Sequence, residues 1–217
     1  MPGAAPIQAS SDLPAATFAD LIWPVGQGRS TPMLRSVILS VMGACLLTMS
    51  AKVVVPGPIN VTLQSLVVLM LGAVLGGRLA VASVALYLLE GALGLPVFTN
   101  TPPAPAGLAY FVGPTGGFLV GFAACAALVG FAADRGLIKR PVLFALALVL
   151  GDVAILALGT LWLAVFAHVG PAMTGIGFAR AWAVGVSPFL LGETIKVALA
   201  AVALPVVWDA ARRLLHR

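Results

Sequence analysis

Charge is what this chain has least of. Only 9% of its 217 residues are Asp, Glu, Lys or Arg, against roughly 25% in an ordinary soluble domain. With 61% hydrophobic residues and a mean hydropathy of +1.10, that shortfall excludes a water-soluble domain. Cysteine and histidine are also scarce, at two each. Cys45 and Cys125 both fall inside apolar runs, so they give no disulfide framework and no zinc-type cluster. They read as small buried hydrophobes. No HExxH, CxxC or GxSxG occurs, and nothing gathers an acid, a base and a nucleophile, so the chain reads as a non-enzyme. It also lacks the GxGxxG fingerprint, so no dinucleotide cofactor is assigned, and without a zinc-type cluster no metal is assigned either. The Walker A sequence GxxxxGK[ST] is absent as well, so ATP-driven transport would need another chain as the ATPase. A net charge of +5 would suggest nucleic acid in a soluble protein. Here the basic residues collect at the ends of apolar runs, where they report topology instead.

What is present is a series of long apolar runs. They lack the ten-residue alternation of a membrane barrel, so backbone satisfaction in lipid selects helices. The expected fold is all-α, a polytopic bundle of six transmembrane helices. The spans are expected at about 34–55, 61–76, 79–95, 113–133, 142–166 and 188–211. Pro56, Gly57 and Pro58 end the first, Asn60 or Thr62 caps the second, and Gly76-Gly77 ends it. Gly91, Gly94 and Pro96 weaken the end of the third, and Gly151-Asp152 interrupts the fifth. Gly113, Gly117 and Gly121, four apart, form a close-packing face. The long connectors, 96–112 and 167–187, are expected as loops, with Trp182 as an interface anchor. Residues 1–32 form an N-terminal segment without signal-peptide character. Phe18, Leu21 and Ile22 there have the spacing of a short surface helix, though a tail without order fits equally. The domain proper covers 33–211, and 212–217 is a basic tail.

Nine Lys and Arg residues fall on one side of these spans: Arg29, Arg35, Arg78, Arg135, Lys139, Arg140, Arg212, Arg213 and Arg217. Lys52 and Arg180 fall on the other. That bias puts both termini in the cytoplasm and both long connectors outside the inner membrane.

Polar residues at membrane depth are costly and need a partner or a task. The sixth run, about 36 Å long as a helix, carries Glu193 and Lys196. Their i,i+3 spacing puts them on one face, and Ser187-Pro188 reads as the helix start. The pair is either a structural ion pair or the polar end of a ligand pocket. Asp152 either packs inside the bundle or shares a proton with a polar neighbour. Glu90 admits proton coupling, ligand contact or simple proximity to the outer interface. Asn60, Gln64 and Asn100 lie nearer the outer edge.

Five segments carry a resemblance: PGPINVTLQSL at 56–66, GAVLGGRLAVASVALYLLEGALGLPVF at 72–98, AYFVGPTGGFLVGF at 109–122, GTLWLA at 159–164 and PFLLGETIKVALA at 188–200. In their order and spacing the chain resembles the BioY family, the biotin-specific substrate-binding (S) component of energy-coupling factor transporters. The resemblance implies six helices, cytoplasmic termini and a biotin cavity opening outward beneath loops. It implies that Glu193 and Lys196 help bind biotin, with Glu standing where the family pattern has Asp; by its chemistry, biotin's carboxylate suits Lys196 and its ureido group suits acidic or amide groups. It carries a loop polar residue onto Asn100, although Pro102, Pro103 and Pro105 replace the glycine-rich form. Tyr87, Gly91 and Gly94 match the span 3 motif, and Gly113, Pro114, Thr115, Gly116 and Gly117 match that of span 4. Small residues near Ser40, Ala44 and Ala51 resemble the docking face for a membrane coupling protein, which works with two ATP-binding subunits. Lipid surrounds the rest. The remaining alternatives are an S component for another carboxylate-bearing vitamin and a structural membrane subunit.

Overall fold

The computed structural model describes residues 17–23, 32–55, 61–104, 106–169 and 174–215. Pro56 to Asn60, Pro105, Arg29, His216, Arg217 and most of the N-terminal segment lie outside the described residues.

A short helix α1 (Phe18–Ile22) precedes the long α2 (Pro32–Lys52). A two-residue antiparallel ribbon, β1 (Val54–Val55) with β2 (Val61–Thr62), joins α2 to α3 (Gln64–Leu75). Then come α4 (Gly77–Ala92), α5 (Leu108–Val112), α6 (Gly116–Asp134), α7 (Pro141–Val165), α8 (Phe178–Gly185) and α9 (Leu190–Leu215). The fold is all-α and polytopic. Four helices, α2, α6, α7 and α9, are long and apolar enough to cross a membrane. At 12 and 16 residues, α3 and α4 rise only about 18 and 24 Å. Of the six full spans expected, four are clear, and α3 and α4 are shorter helices.

Large apolar residues cover the outside of α2, α7 and α9; Leu191 and Val202, for example, are 75% and 68% exposed. Burying them in lipid costs nothing, which is why a bundle of these helices can leave them unpacked. The interior forms around α6, which packs along α7 and also meets α3 and α4. Gly117 and Gly121 make that approach possible. A Cβ at Gly117 would strike Trp162 and the Leu158 carbonyl, and one at Gly121 would meet the Ile155 backbone. The expected close-packing face is therefore the α6–α7 seam. Gly113 lies just before the helix instead of on it.

Three expectations are corrected. Gly151-Asp152 does not break span 5: α7 runs through it. Gly151 lies against Cys125 and Val129, where a Cβ would not fit, so its role is close approach. Thr62 does not cap α3, because it is paired in the ribbon and Leu63 holds the cap position. Nor does Ser187-Pro188 begin α9. The chain turns through residues 186–189, and the helix starts at Leu190. The connectors, expected as loops, contain α5 and α8.

One end of the bundle gathers Arg35, Arg78, Arg135, Lys139, Arg140, Arg212 and Arg213, at the starts of α2 and α4, the α6–α7 turn and the end of α9. The spacing of Phe18 and its neighbours does produce a helix there. Phe18 is buried edge-on against Trp208, with ring centroids 5.0 Å apart. Asp20 pairs with Arg35 at 3.0 Å, and Asp134 accepts the Gly77 N–H at 3.0 Å. Lys52, Arg180 and both connectors occupy the other end.

Candidate functional site

Beneath the connectors lies a cavity of about 460 Å³, within the range of about 300–1,000 Å³ typical of small-molecule pockets. Phe118, Leu119 and Phe122 of α6 and Ile155 and Leu156 of α7 give it apolar walls. Its polar groups are few: Thr62 of the ribbon, Gln64 and Ser65 of α3, Tyr87 of α4, Thr99 of the first connector, Thr115 before α6, Arg180 of α8 and Glu193 of α9.

Glu193 forms the buried acidic point. Because α9 starts late, this residue sits in its first turn, where the positive end of the helix dipole favours a carboxylate. It is 7% exposed, as is Lys196. Lys196 Nζ donates to Glu193 Oε1 at 2.8 Å, to the Thr62 carbonyl at 2.7 Å and to Ser65 Oγ at 2.9 Å. Those three contacts use all three ammonium donors. Lys196 accordingly stands behind Glu193, off the cavity wall, and ties α9 to the start of α3. Glu193 Oε2 is left with no partner among the described residues.

Asp152 of α7 lies behind the same point, 7% exposed, close enough for its charge to act on Glu193. Its Oδ1 also lacks a partner. Two buried carboxyls near one ammonium make this end of the cavity rich in hydrogen-bond acceptors.

The first connector is held over the cavity by a residue that sequence alone placed only in the charge count. Lys52 Nζ, at the end of α2, donates to the Phe98 carbonyl at 2.7 Å, the Thr101 carbonyl at 2.6 Å and Thr101 Oγ1 at 3.3 Å. Phe98 is fully buried, stacked on Tyr110 at 4.5 Å and edge-on to Tyr87 at 5.3 Å. Any Cβ at Gly91 would run into the Phe98 ring, which explains the glycine. Gly94 has φ +94, a conformation suited to glycine where the chain leaves α4. Thr99 Oγ1 donates to Gln64 Oε1 at 3.2 Å, and Gln64 Nε2 donates to the Tyr87 hydroxyl at 2.7 Å. Tyr87 therefore keeps its own hydroxyl proton for a ligand. Burial pushes the Tyr110 phenol up from its ordinary value, keeping it a donor to the Thr99 carbonyl at 2.9 Å. On the other side, Trp162 Nε1 donates to the Gly113 carbonyl at 2.9 Å and holds the turn that presents Pro114 and Thr115 to the cavity. Gly116 abuts the Phe111 carbonyl, where a Cβ has no room.

Of the expected ligand residues, Glu193 and Tyr87 line the cavity, while Lys196 and Asp152 back Glu193. Asn100 and Glu90 do not line it. Asn100 is exposed with φ 59, in a left-handed turn closed by its carbonyl and the Ala104 N–H at 2.8 Å. Its neighbour Thr99 faces the cavity instead. Glu90 sits half-exposed on α4. The residues expected to dock a partner lie on α2. Ala44 and Ala51 are buried, 0% and 1% exposed, on the side of α2 where Gly43 meets Ser83 of α4, and Ser40 is half-buried. That small-residue stripe packs this bundle itself.

Comparison with known proteins adds the following. The profile of the BioY family matches residues 22–213. The chain is 34% identical over 170 residues to the biotin transporter BioY of Thermotoga maritima, covering 77% of this chain and 92% of that protein. It is 38% identical over 151 residues to the biotin transporter BioY of Rhizobium etli, covering 66% and 75%. Against the probable biotin transporter BioY of Pyrococcus horikoshii it is 34% identical over 146 residues, covering 67% and 78%. Among solved structures it is similar to the S-component for biotin from an ECF-type ABC transporter. The TM-score is 0.67 at 22% identity, over 82% of this chain and 92% of the other, a likeness of fold.

Proposed function

The chain belongs to the BioY family, and from that premise we propose that it captures biotin for uptake as the S component of an energy-coupling factor transporter. It is a transport protein, not an enzyme. The observation that carries the reading is the cavity itself: apolar walls, a buried carboxylate with one free oxygen, and a hydroxyl with a free proton. A ureido ring presents N–H donors on both sides of a carbonyl. Glu193 Oε2 accepts from an N–H, Tyr87 donates to the carbonyl, and the fused rings and aliphatic chain fill the space beside Phe118 and Phe122.

In the membrane, α2, α3, α4, α6, α7 and α9 make six crossings. The basic end faces the cytoplasm with both termini, and the cavity opens outward. A membrane coupling protein and two ATP-binding subunits supply the energy, since the chain has no Walker A sequence. Outside capture is followed by reorientation of this small component in the bilayer.

The test is calorimetric titration of biotin into the purified chain in lipid nanodiscs. One saturable site and a raised unfolding temperature with ligand are expected. Tight binding of a different carboxylate-bearing vitamin, with none of biotin, would reassign the substrate. A folded sample that binds neither would indicate a structural subunit.

A further inference from the structure

The ligand's negative end needs a cation, and neither lysine near the cavity is free to provide one. Lys196 spends its three donors on Glu193, Thr62 and Ser65. Lys52 is likewise committed to the Phe98 and Thr101 carbonyls and the Thr101 hydroxyl. Neither lines the cavity. Arg180 does. It is exposed, whereas Glu193 is buried, so the cation marks the open side of the cavity and the carboxylate its closed end. No hydrogen bond or ion pair engages its guanidinium among the described residues. Its planar fork of five donors matches a carboxylate in two-point geometry.

The helix that carries it is fixed in place. The Ile176 N–H donates to the Leu163 carbonyl at 3.1 Å and the Gly177 N–H to that of Ala164 at 3.1 Å, anchoring the entry to α8 on the end of α7. Ala181, next to Arg180, is fully buried against that same end. Val184 and Gly185, one turn further on, also line the cavity. Arg180 is thus held over the opening by a packed element.

Accepting biotin as the substrate, we infer that Arg180 receives its carboxylate at the mouth, and that Lys196 is a positioning residue holding Glu193 for the ureido end. The two charges then act as a polarity gauge. A molecule with N–H donors at one end and an anion at the other binds in one orientation, ring inward and carboxylate outward.

The experiment compares biotin with its uncharged primary amide, each titrated into the wild-type chain, Arg180→Gln and Arg180→Lys in nanodiscs, at low and high salt. Wild type is expected to prefer biotin, and that preference is expected to shrink with salt because the contact lies at a hydrated rim. Arg180→Gln is expected to bind biotin about tenfold more weakly, the loss of one charge-assisted contact, and the amide as before. Arg180→Lys should recover part of the difference. Unchanged biotin affinity and preference in Arg180→Gln would overturn the inference, as would a wild-type chain that binds acid and amide equally at low salt. Wild type binding neither compound would instead refute biotin as the substrate. The amide titration doubles as a check that each variant is folded.

Discussion

Lys196 shows how a residue conspicuous in sequence can have a different task in the fold. A lysine at membrane depth, one turn from a glutamate, invites direct ligand contact, and its saturated ammonium argues for support instead. Lys196→Ala should therefore strand Glu193 as a buried charge without its counter-ion. Removing one partner of a buried pair costs about 3–5 kcal/mol, so the thermal unfolding midpoint should drop sharply even without ligand. Exchanging both residues, as in Glu193→Leu with Lys196→Met, should recover most of that stability while biotin binding stays lost. Unfolding curves and titrations of the single and double variants check this, and a stable Lys196→Ala protein that merely fails to bind would favour direct contact. Depth and i,i+3 spacing made this pair legible in the sequence. Lys196's other partners, Thr62 and Ser65, lie more than 130 residues away along the chain, and nothing local in the sequence announces them. Asn100 lies off the cavity lining for a related reason. Its left-handed backbone turns it outward and puts Thr99 in the cavity.

At the scale of elements, the connector after α4 forms one working unit with the end of α2. Helix positions were readable because apolar runs and Gly or Pro punctuation are local signals; α6, for example, begins three residues later than the run beginning at Gly113. The connector's closure was not readable, since it depends on where the end of α2 lies against a loop some fifty residues later. Phe98 seals the layer beneath by stacking on Tyr110, and Lys52 clamps the backbone on either side of Thr99. Lys52→Met should leave the bundle intact, with a stability change of about 1 kcal/mol for hydrogen bonds at a partly wet site. Its effect should appear in kinetics: biotin should leave severalfold faster from a loosened cover, with less change in association. A chase experiment with labelled and excess unlabelled biotin measures this directly. An unchanged dissociation rate would mean that the connector covers the cavity without gating it.

The whole molecule is polarised, and that polarity ties orientation to uptake. Basic residues crowd the end where α1 packs on Trp208, while the cavity and both connectors occupy the opposite end. The charge asymmetry was plain in sequence because it needs only the spans and a count. The number of crossings was less so. In α3, Val68, Leu69 and Ala73 are fully buried, so protein surrounds much of this helix and it need not match the bilayer's thickness. If the positive-inside rule governs, the cavity faces out, and this is testable in intact cells. With Cys45→Ala and Cys125→Ala removing the native thiols, Thr174→Cys and Pro103→Cys sit at exposed positions near the cavity end. Arg140→Cys and Arg213→Cys sit at exposed positions near the basic end. A membrane-impermeant maleimide should label the first two in whole cells and the last two only after lysis. The reverse pattern would place the cavity mouth in the cytoplasm, where it could not capture an external vitamin. The expected pattern, with excess biotin shielding the thiol at position 103 or 174, would place an outward orientation and an occupied cavity in the same molecule.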